Sequence, residues 1–489
     1  MTIMKKILLF LLIIAGIYLL LLIPIPQQNK EFFNATKAPF IWNQDKLWET
    51  LEIKFQKAKN TPSKKLDSIV DKLTVQADIL LYDFENKISS PEDSLYNLIE
   101  RSFFNITPLI AAQENKSDWY IHFYNRVRKK VKSDSRFWDM NTSSARNTSY
   151  RILYGMRAAV EEVLLQTNTN DFISTTYVTN EPSATPSASI LGIDVHSGDL
   201  LVSRGGAEVS AFISRGNDYP GNFSHVALLH IDKDTNKPYL IEAHIEKGVA
   251  IATIDDYLKD KKLRFMVMRP RADLPELKLN PMLPHKASTY IYNLSQTTHI
   301  PYDFKMDYFD ASSMFCSEVG SYAYKRFGIK LWEFKSTISS KGIAEWLHVF
   351  GVENFITQMP SDLEYDPMLS VVAEWRNKEV LFQDHIDNAV MDVLITNANQ
   401  GKKLDYNLWA LPIARLIKGY SYVLNVFGKA GVIPEGMDAT TALKNNYFVD
   451  QFQSLKITTE ANIKTFKIEN GYLPPYWQLI KIAEKSLHN

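Results

Sequence analysis

Cysteine is all but missing from this chain of 489 residues, where Cys316 stands alone. A single thiol excludes an intramolecular disulfide framework, a four-cysteine zinc site and a cysteine-ligated iron–sulfur cluster. An excess of charge of either sign is missing too. Lys and Arg total 55, as do Asp and Glu, so the net charge at pH 7 is zero. Nothing supplies the basic surplus that holds a phosphate backbone, and nucleic acid is not an expected partner. The sequence also lacks internal repeats and low-complexity tracts. What is present, 45% hydrophobic and 22% charged residues, belongs to globular proteins and not to disordered or fibrous ones. The length exceeds the roughly 100–200 residues of one domain, so two or three structural units are expected.

One long apolar run opens the chain. Lys5-Lys6 precede an unbroken stretch from Ile7 to Ile23, closed by Pro24-Ile25-Pro26. At about 17 residues it sits near the lower limit for spanning a bilayer and exceeds the usual core of a signal peptide. No small-x-small cleavage site follows, and no nearby cysteine could carry a lipid. Residues 1–26 therefore read as an uncleaved membrane anchor, with a signal peptide as the alternative. The lysines stay on the cytoplasmic side, so the remainder is expected on the periplasmic or other extracytoplasmic face of the cell envelope, held at the inner membrane.

Residues 42–168 follow a helical pattern and carry no evident chemistry. Ser90-Pro91-Glu92-Asp93 reads as a helix start, with Leu95, Leu98 and Ile99 at helical spacing behind it. Four or five helices are expected. From 169 to 190 the composition shifts to Thr, Ser, Asn and Pro, a linker or long loop. Residues 191–350 then show short apolar runs: Leu200 to Val202, Phe223 to Ile231, Tyr239 to His244, Val249 to Ile251 and Arg264 to Arg269. Asp232 to Pro238 supplies a turn that predicts a hairpin of the second and third. Helices are predicted over 284–296 and 313–327, which makes this section α+β. A helical region follows, over 351–489.

The chemistry concentrates in the middle section. With Ser313 as N-cap, Cys316 lies in the first turn of its helix, where backbone N–H groups and the dipole favour a thiolate. A thiolate nucleophile needs an imidazole to exchange protons with. His225 stands at the entry to an apolar strand, and on the next strand Glu242 and His244 share one face by period-two alternation. Either could fix the His225 tautomer, and the carboxylate would also stabilise the imidazolium. A metal site from His225, Glu242 and His244 is conceivable but leaves the cysteine helix without a purpose. No metal or cofactor is expected.

Gly198-Asp199, Ser224-His225-Val226, Ile241-Glu242-Ala243, Pro301-Tyr302-Asp303 and Phe315-Cys316-Ser317-Glu318 occur in that order. Together they resemble the YiiX/YebB-like branch of the NlpC-type cysteine hydrolases, permuted papain-like enzymes in which histidine precedes cysteine. The resemblance covers about residues 190 to 350. It implies a permuted papain-like catalytic domain with an antiparallel sheet, Cys316 as nucleophile, His225 as general base and acid, and Glu242 as orienting group, with His244 as fallback. Tyr302 and Asp303 would line the substrate cleft or hold its loop. The implied activity is hydrolysis of an amide or ester through a thioester, on a cell-wall peptide or on an acylated small molecule or lipid. The competing expectation is a non-catalytic envelope module that keeps the cleft for binding.

Overall fold

In a computed structural model the chain is described over residues 3–24, 38–113, 116–167 and 172–487. Pro26, where the expected anchor ends, and residue 169, where the expected linker begins, lie outside the described residues. Helix α1 (Ile3–Leu21) is followed by α2 (Asp45–Lys59), α3 (Ser63–Glu85), α4 (Ser94–Ala111), α5 (Ser117–Asp134), α6 (Ser143–Ser149) and α7 (Met156–Gln166). A π-helical stretch, Tyr150–Gly155, joins the last two. In α4 the Asp93 side chain accepts from the Leu95 N–H, so the cap falls at Asp93 and the helix starts after it. The apolar stripes of α2 to α7 close one core around Val70, Leu81, Ile99, Phe103, Tyr120 and Val127.

The rest of the fold is built on a seven-stranded antiparallel sheet. Its strands are β1 (Thr175–Tyr177), β4 (Leu200–Gly205), β5 (His225–Ile231), β6 (Pro238–His244), β7 (Gly248–Thr253), β8 (Lys262–Pro270) and β11 (Leu369–Arg376), in the order β1-β11-β8-β4-β5-β6-β7. Small two-stranded pairs are formed by β2 (Ser187–Ile190) with β3 (Ile193–His196), and by β9 (Ser336–Thr337) with β10 (Ile356–Thr357). The segment expected as a linker thus holds β1 and β2, and the sheet draws β11 from beyond residue 350. The predicted hairpin is present as β5–β6, with Leu228 opposite Ile241.

Both faces of the sheet are covered, which is why its strands read as unbroken apolar runs. Leu200, Val202, Val226, Leu228, Ile241 and Met266 face α11 (Leu283–Thr297) and α12 (Cys316–Lys325). Leu201, Ala227, Leu229, Leu240 and Val267 turn to the other side, against Ile190, Val195 and Tyr257. Alternation along each strand sorts these residues, and burial on both sides makes all of them apolar. Short helices α8 (Glu208–Arg215), α9 (Ile254–Lys259) and α10 (Pro275–Leu279) connect the strands.

A third core joins α13 (Lys341–Val349), α14 (Lys378–Asn399), α16 (Ala439–Asn470) and α17 (Tyr476–Leu487) around Trp346, Val390, Phe448 and Leu479. Between α14 and α16 lies α15 (Leu411–Val426), which packs on α16 and touches α1. Three hydrogen bonds tie α1 and the residues just after it to this region. Tyr18 donates to the Trp409 carbonyl at 2.6 Å, and Arg415 donates to the carbonyls of Leu21 and Ile23 at 2.7 and 2.8 Å. Among the described residues no helix is long and apolar enough to cross a membrane. The side chains of α1 from Ile7 to Ile14 are nonetheless exposed.

Candidate active site

The helix that carries Cys316 begins at Cys316 itself, two residues later than a Ser313 cap predicts. The reason is local. Met314 pairs with Tyr302 in an isolated bridge, accepting from the Asp303 N–H and donating to the Pro301 carbonyl, so the chain stays extended through Phe315. The start is closed by Glu318, whose carboxyl accepts from the Phe315 N–H at 2.9 Å. As the first helical residue, Cys316 still lies in the first turn, where N–H groups have no intrahelical acceptor. Gly320 brings α12 close to the sheet; a Cβ there would meet the Leu200 side chain at 2.7 Å.

His225 opens β5, beside the start of this helix, and Cys316 Sγ lies 4.0 Å from the carbonyl of the preceding Ser224. Glu242 stands on β6, and continuing the β5–β6 register sets it diagonal to His225 on the same sheet face. Its Oε2 is 2.6 Å from His225 Nε2, and its Oε1 is 3.0 Å from His244 Nε2. The carboxyl is 2% exposed, so two imidazoles serve a charge that water cannot reach.

The electrostatics follow from this packing. Burial alone would drive His225 toward its neutral form, yet side-chain hydrogen bonds with Cys316 and Glu242 outweigh it and raise the ring from 6.5 to about 9. Burial pushes the Glu242 carboxyl up, but the hydrogen bonds to His225 and His244 prevail and hold it well below the usual carboxylate range. With Nε2 committed to Glu242, the ring has Nδ1 left for the thiol. Sequence reasoning missed a second acid. Glu318 is lifted to about 9, first by burial and then by the nearby charges of Asp303, Asp307 and Cys316. Its place two residues after the cysteine was visible in the motif, but its burial was not.

A cavity of about 560 Å³ opens beside Cys316, and Tyr302 and Asp303 both line it. Asp303 is also a loop holder, since its carboxylate accepts from the N–H groups of Lys305 at 2.8 Å and Asp307 at 2.6 Å. The Tyr302 phenol is pushed up by burial and then by the Cys316 and Asp303 charges. His244 is not among the lining residues; its contact is with Glu242. The Gly198-Asp199 motif works at a distance from the thiol: the two carboxylate oxygens of Asp199 accept from Nε and Nη2 of Arg269, each at 2.8 Å, and fix the entry to β4. No group of three or more His, Cys, Asp or Glu is placed to hold a metal ion among the described residues.

An antiparallel sheet with a cysteine at a helix start, and a histidine before it in the chain, defines a permuted papain-like domain. Residues 194–373 match the family of permuted papain-like amidase enzymes, the YaeF/YiiX, C92 family. The middle of the chain is therefore similar to that amidase family, and its α+β architecture is that of a permuted papain-like domain. No curated protein and no solved structure matches the chain.

Proposed function

We propose that the protein is a cell-envelope thiol hydrolase that cleaves an amide or ester bond with Cys316, His225 and Glu242. The observation that carries this reading is the placing of His225, which Glu242 holds at 2.6 Å, next to Ser224, whose carbonyl lies 4.0 Å from the Cys316 sulfur. A histidine raised to about 9 carries its proton at neutral pH, ready to be passed on once the Cys316 sulfur attacks.

In the first step the Cys316 sulfur attacks the substrate carbonyl carbon, and the oxygen takes up negative charge. The Cys316 N–H at the helix start is the donor placed to receive it. His225 then gives its proton to the leaving amine or alcohol as that bond breaks, which leaves a thioester on Cys316. Water attacks the thioester while His225 takes its proton, and the departing thiolate recovers the starting pair. One water is consumed, and an acid and an amine or alcohol are formed. Glu242 touches no substrate in this scheme; it holds the ring and stabilises its charge.

The proposed setting is the outward face of the envelope membrane, with attachment through the apolar surfaces of α1 and α15. Candidate substrates are cell-wall peptides and acylated small molecules or lipids. A thiol-directed activity probe is expected to label the native chain and spare Cys316→Ala, and a screen of both substrate classes should yield turnover that Cys316→Ala lacks. A thiol that reacts no faster than free cysteine would sink the catalytic reading and leave a binding module.

A further inference from the structure

A second cavity lies among the flanking helices. It measures about 340 Å³, within the range of clefts that bury a small ligand, about 300–1,000 Å³. Among the described residues it shares no lining residue with the cavity beside Cys316. Its walls are aromatic: Trp42 ahead of α2, Trp48 on α2, Tyr150 and Tyr154 in the π-helical stretch and Trp477 on α17. Their rings touch one another, with centroids 6.0 Å apart for Trp42 and Trp48, 5.8 Å for Trp48 and Trp477 and 6.4 Å for Trp42 and Tyr154. Gly155 makes the room, since a Cβ on it would run into the Trp42 indole.

Carboxylates stand in this aromatic wall without cations to match them. Arg215 is the one lysine or arginine that lines it among the described residues, and Asp392 takes its guanidinium at 2.8 and 2.9 Å. Asp45, Glu52 and Glu162 remain. Glu52 is 8% exposed, and the groups that serve it are neutral: the Tyr472 hydroxyl at 2.8 Å, the Trp477 indole N–H at 2.9 Å and the Gln478 amide at 2.8 Å. Glu162 accepts from the Tyr476 N–H at 2.9 Å, while the His385 ring, 3.8 Å away, directs its Nε2 to Glu161. Burial, and then the charges of Glu161 and Glu52, raise Glu162 to about 7 against the pull of His385 and the Tyr476 N–H. A buried carboxylate without a cation is costly, and the faces of the surrounding rings are themselves negative. Charge and rings therefore favour the same occupant, a cation. The Trp42 Nε1 is buried with no acceptor among the described residues, which leaves a donor for an oxygen on that ligand.

We infer that this cavity is a binding site for a small organic cation with a methylated nitrogen, held by the ring faces and by the charges of Glu52 and Glu162. Methylation follows from the acceptors. Glu52 already takes three hydrogen bonds, so it offers charge more than lone pairs, and a nitrogen without N–H asks for charge alone. The methyl groups spread that charge over apolar surface, which suits indole and phenol faces. Such a cation–π contact is worth about two- to fivefold in affinity at an exposed site and about thirtyfold once water is excluded. The site stands apart from the hydrolase reading and needs neither Cys316 nor His225.

Isothermal titration calorimetry of the full chain with three related probes tests the assignment. The probes are choline, its uncharged isostere 3,3-dimethylbutan-1-ol, and ethanolamine, which keeps the charge and exchanges the methyl groups for N–H. Saturable binding of choline is expected, at least tenfold tighter than that of either other probe. Glu52→Gln, which keeps an acceptor for its neighbours and removes the charge, should weaken choline binding at least tenfold, and Trp48→Leu at least threefold. Glu162→Gln and Trp42→Leu stand in for whichever of the two fails to fold. Glu49→Gln, at an exposed acid on the same helix but outside the lining, should bind as the parent does. Choline that binds without saturation, or less than tenfold tighter than the isostere, overturns the site. Binding that either the charge variant or the ring variant leaves unchanged overturns it as well. Ethanolamine held within tenfold of choline, or more tightly, overturns the methylated class of ligand.

Discussion

Glu242 serves two rings with one buried carboxylate, and this sets what its loss should do. In Glu242→Gln the shape and one hydrogen-bond acceptor remain while the charge goes, so His225 loses the partner that favours its protonated form. Turnover should fall by roughly 10²–10⁴-fold, the range for impaired acid–base catalysis, and His244→Asn should lose less. The pH profile supplies the diagnostic. The His225 value is raised, so the imidazolium exists below about 9 and is lost above it. The parent kcat/KM should therefore decline on the alkaline side near pH 9, and Glu242→Gln should move that limb to lower pH. The linked stability has the same sign: it is fully present below about 6.5, the ordinary histidine value, and disappears as pH rises through about 9. An alkaline limb that does not move in Glu242→Gln would assign the orienting role elsewhere. The three side chains proposed to act together were readable as candidates because each stands in a short local motif, and period-two alternation alone puts Glu242 and His244 on one face. The far wall of the cavity beside Cys316, with Ile413 and Ala442, was not readable. Ile413 and Ala442 lie about a hundred residues after Cys316, and helical periodicity tells that they are apolar without telling which surface they meet.

Turns that fix the approach of one element to another are the sensitive points at the next scale. Gly198 precedes β4 with φ +101, and a Cβ on it would fall 2.3 Å from Pro284 Cβ and 2.7 Å from the Pro284 backbone. That contact seats α11 against the strand entry where Asp199 holds Arg269. Gly198→Ala combines a backbone conformation unfavourable for L-residues by about 1–2 kcal/mol with a clash that only movement of α11 relieves. It should lower the thermal midpoint of the chain, whereas Gly401→Ala, at φ +99 in open space, should lower it less. Equal shifts in the two would show that the close packing contributes nothing. At this scale the sequence was informative where an element carries its own signal, as the β5–β6 hairpin does through its turn. It was silent where order is borrowed. Thr175–Tyr177 is a strand because β11 pairs with it, and Ser187–Ile190 because β3 does; neither buries enough by itself to leave a pattern.

Across the whole molecule, the helical flanks and the sheet are tied by buried charge. Arg157 and Glu161 on α7, Arg264 on β8, Asp384 and His385 on α14, and Glu364 ahead of β11 form one connected group. Arg157 reaches Glu364 at 2.9 and 2.8 Å, and Arg264 reaches Asp384 at 2.7 Å and also Glu161. Removing one partner strands a buried charge, so Arg264→Met should destabilise the chain by about 3–5 kcal/mol. The helical residues before 168 should unfold in the same transition as the sheet, which denaturant melts followed by far-ultraviolet circular dichroism and by thiol exposure of Cys316 can compare. The other whole-molecule feature is the surface that the flanks leave uncovered. Helix α15 exposes Ile413, Leu416, Tyr420, Tyr422, Val423 and Val426, Trp409 precedes it, and α1 lies alongside with Ile7 to Ile14 open. A helix apolar around its circumference is stable when something apolar surrounds it, and Trp and Tyr at its rim suit the boundary of a bilayer. Trp409 is 64% exposed and accepts, through its carbonyl, the hydrogen bond from Tyr18. Vesicles carrying brominated lipids should therefore quench part of the tryptophan emission of the full chain, and Trp409→Phe should remove that part. Fractionation of the native producer should place the chain with membranes and open to protease from outside. Unquenched emission together with an unprocessed chain in the cytosol would refute attachment through α1 and α15, because both apolar helices would then have to be covered by protein instead of lipid.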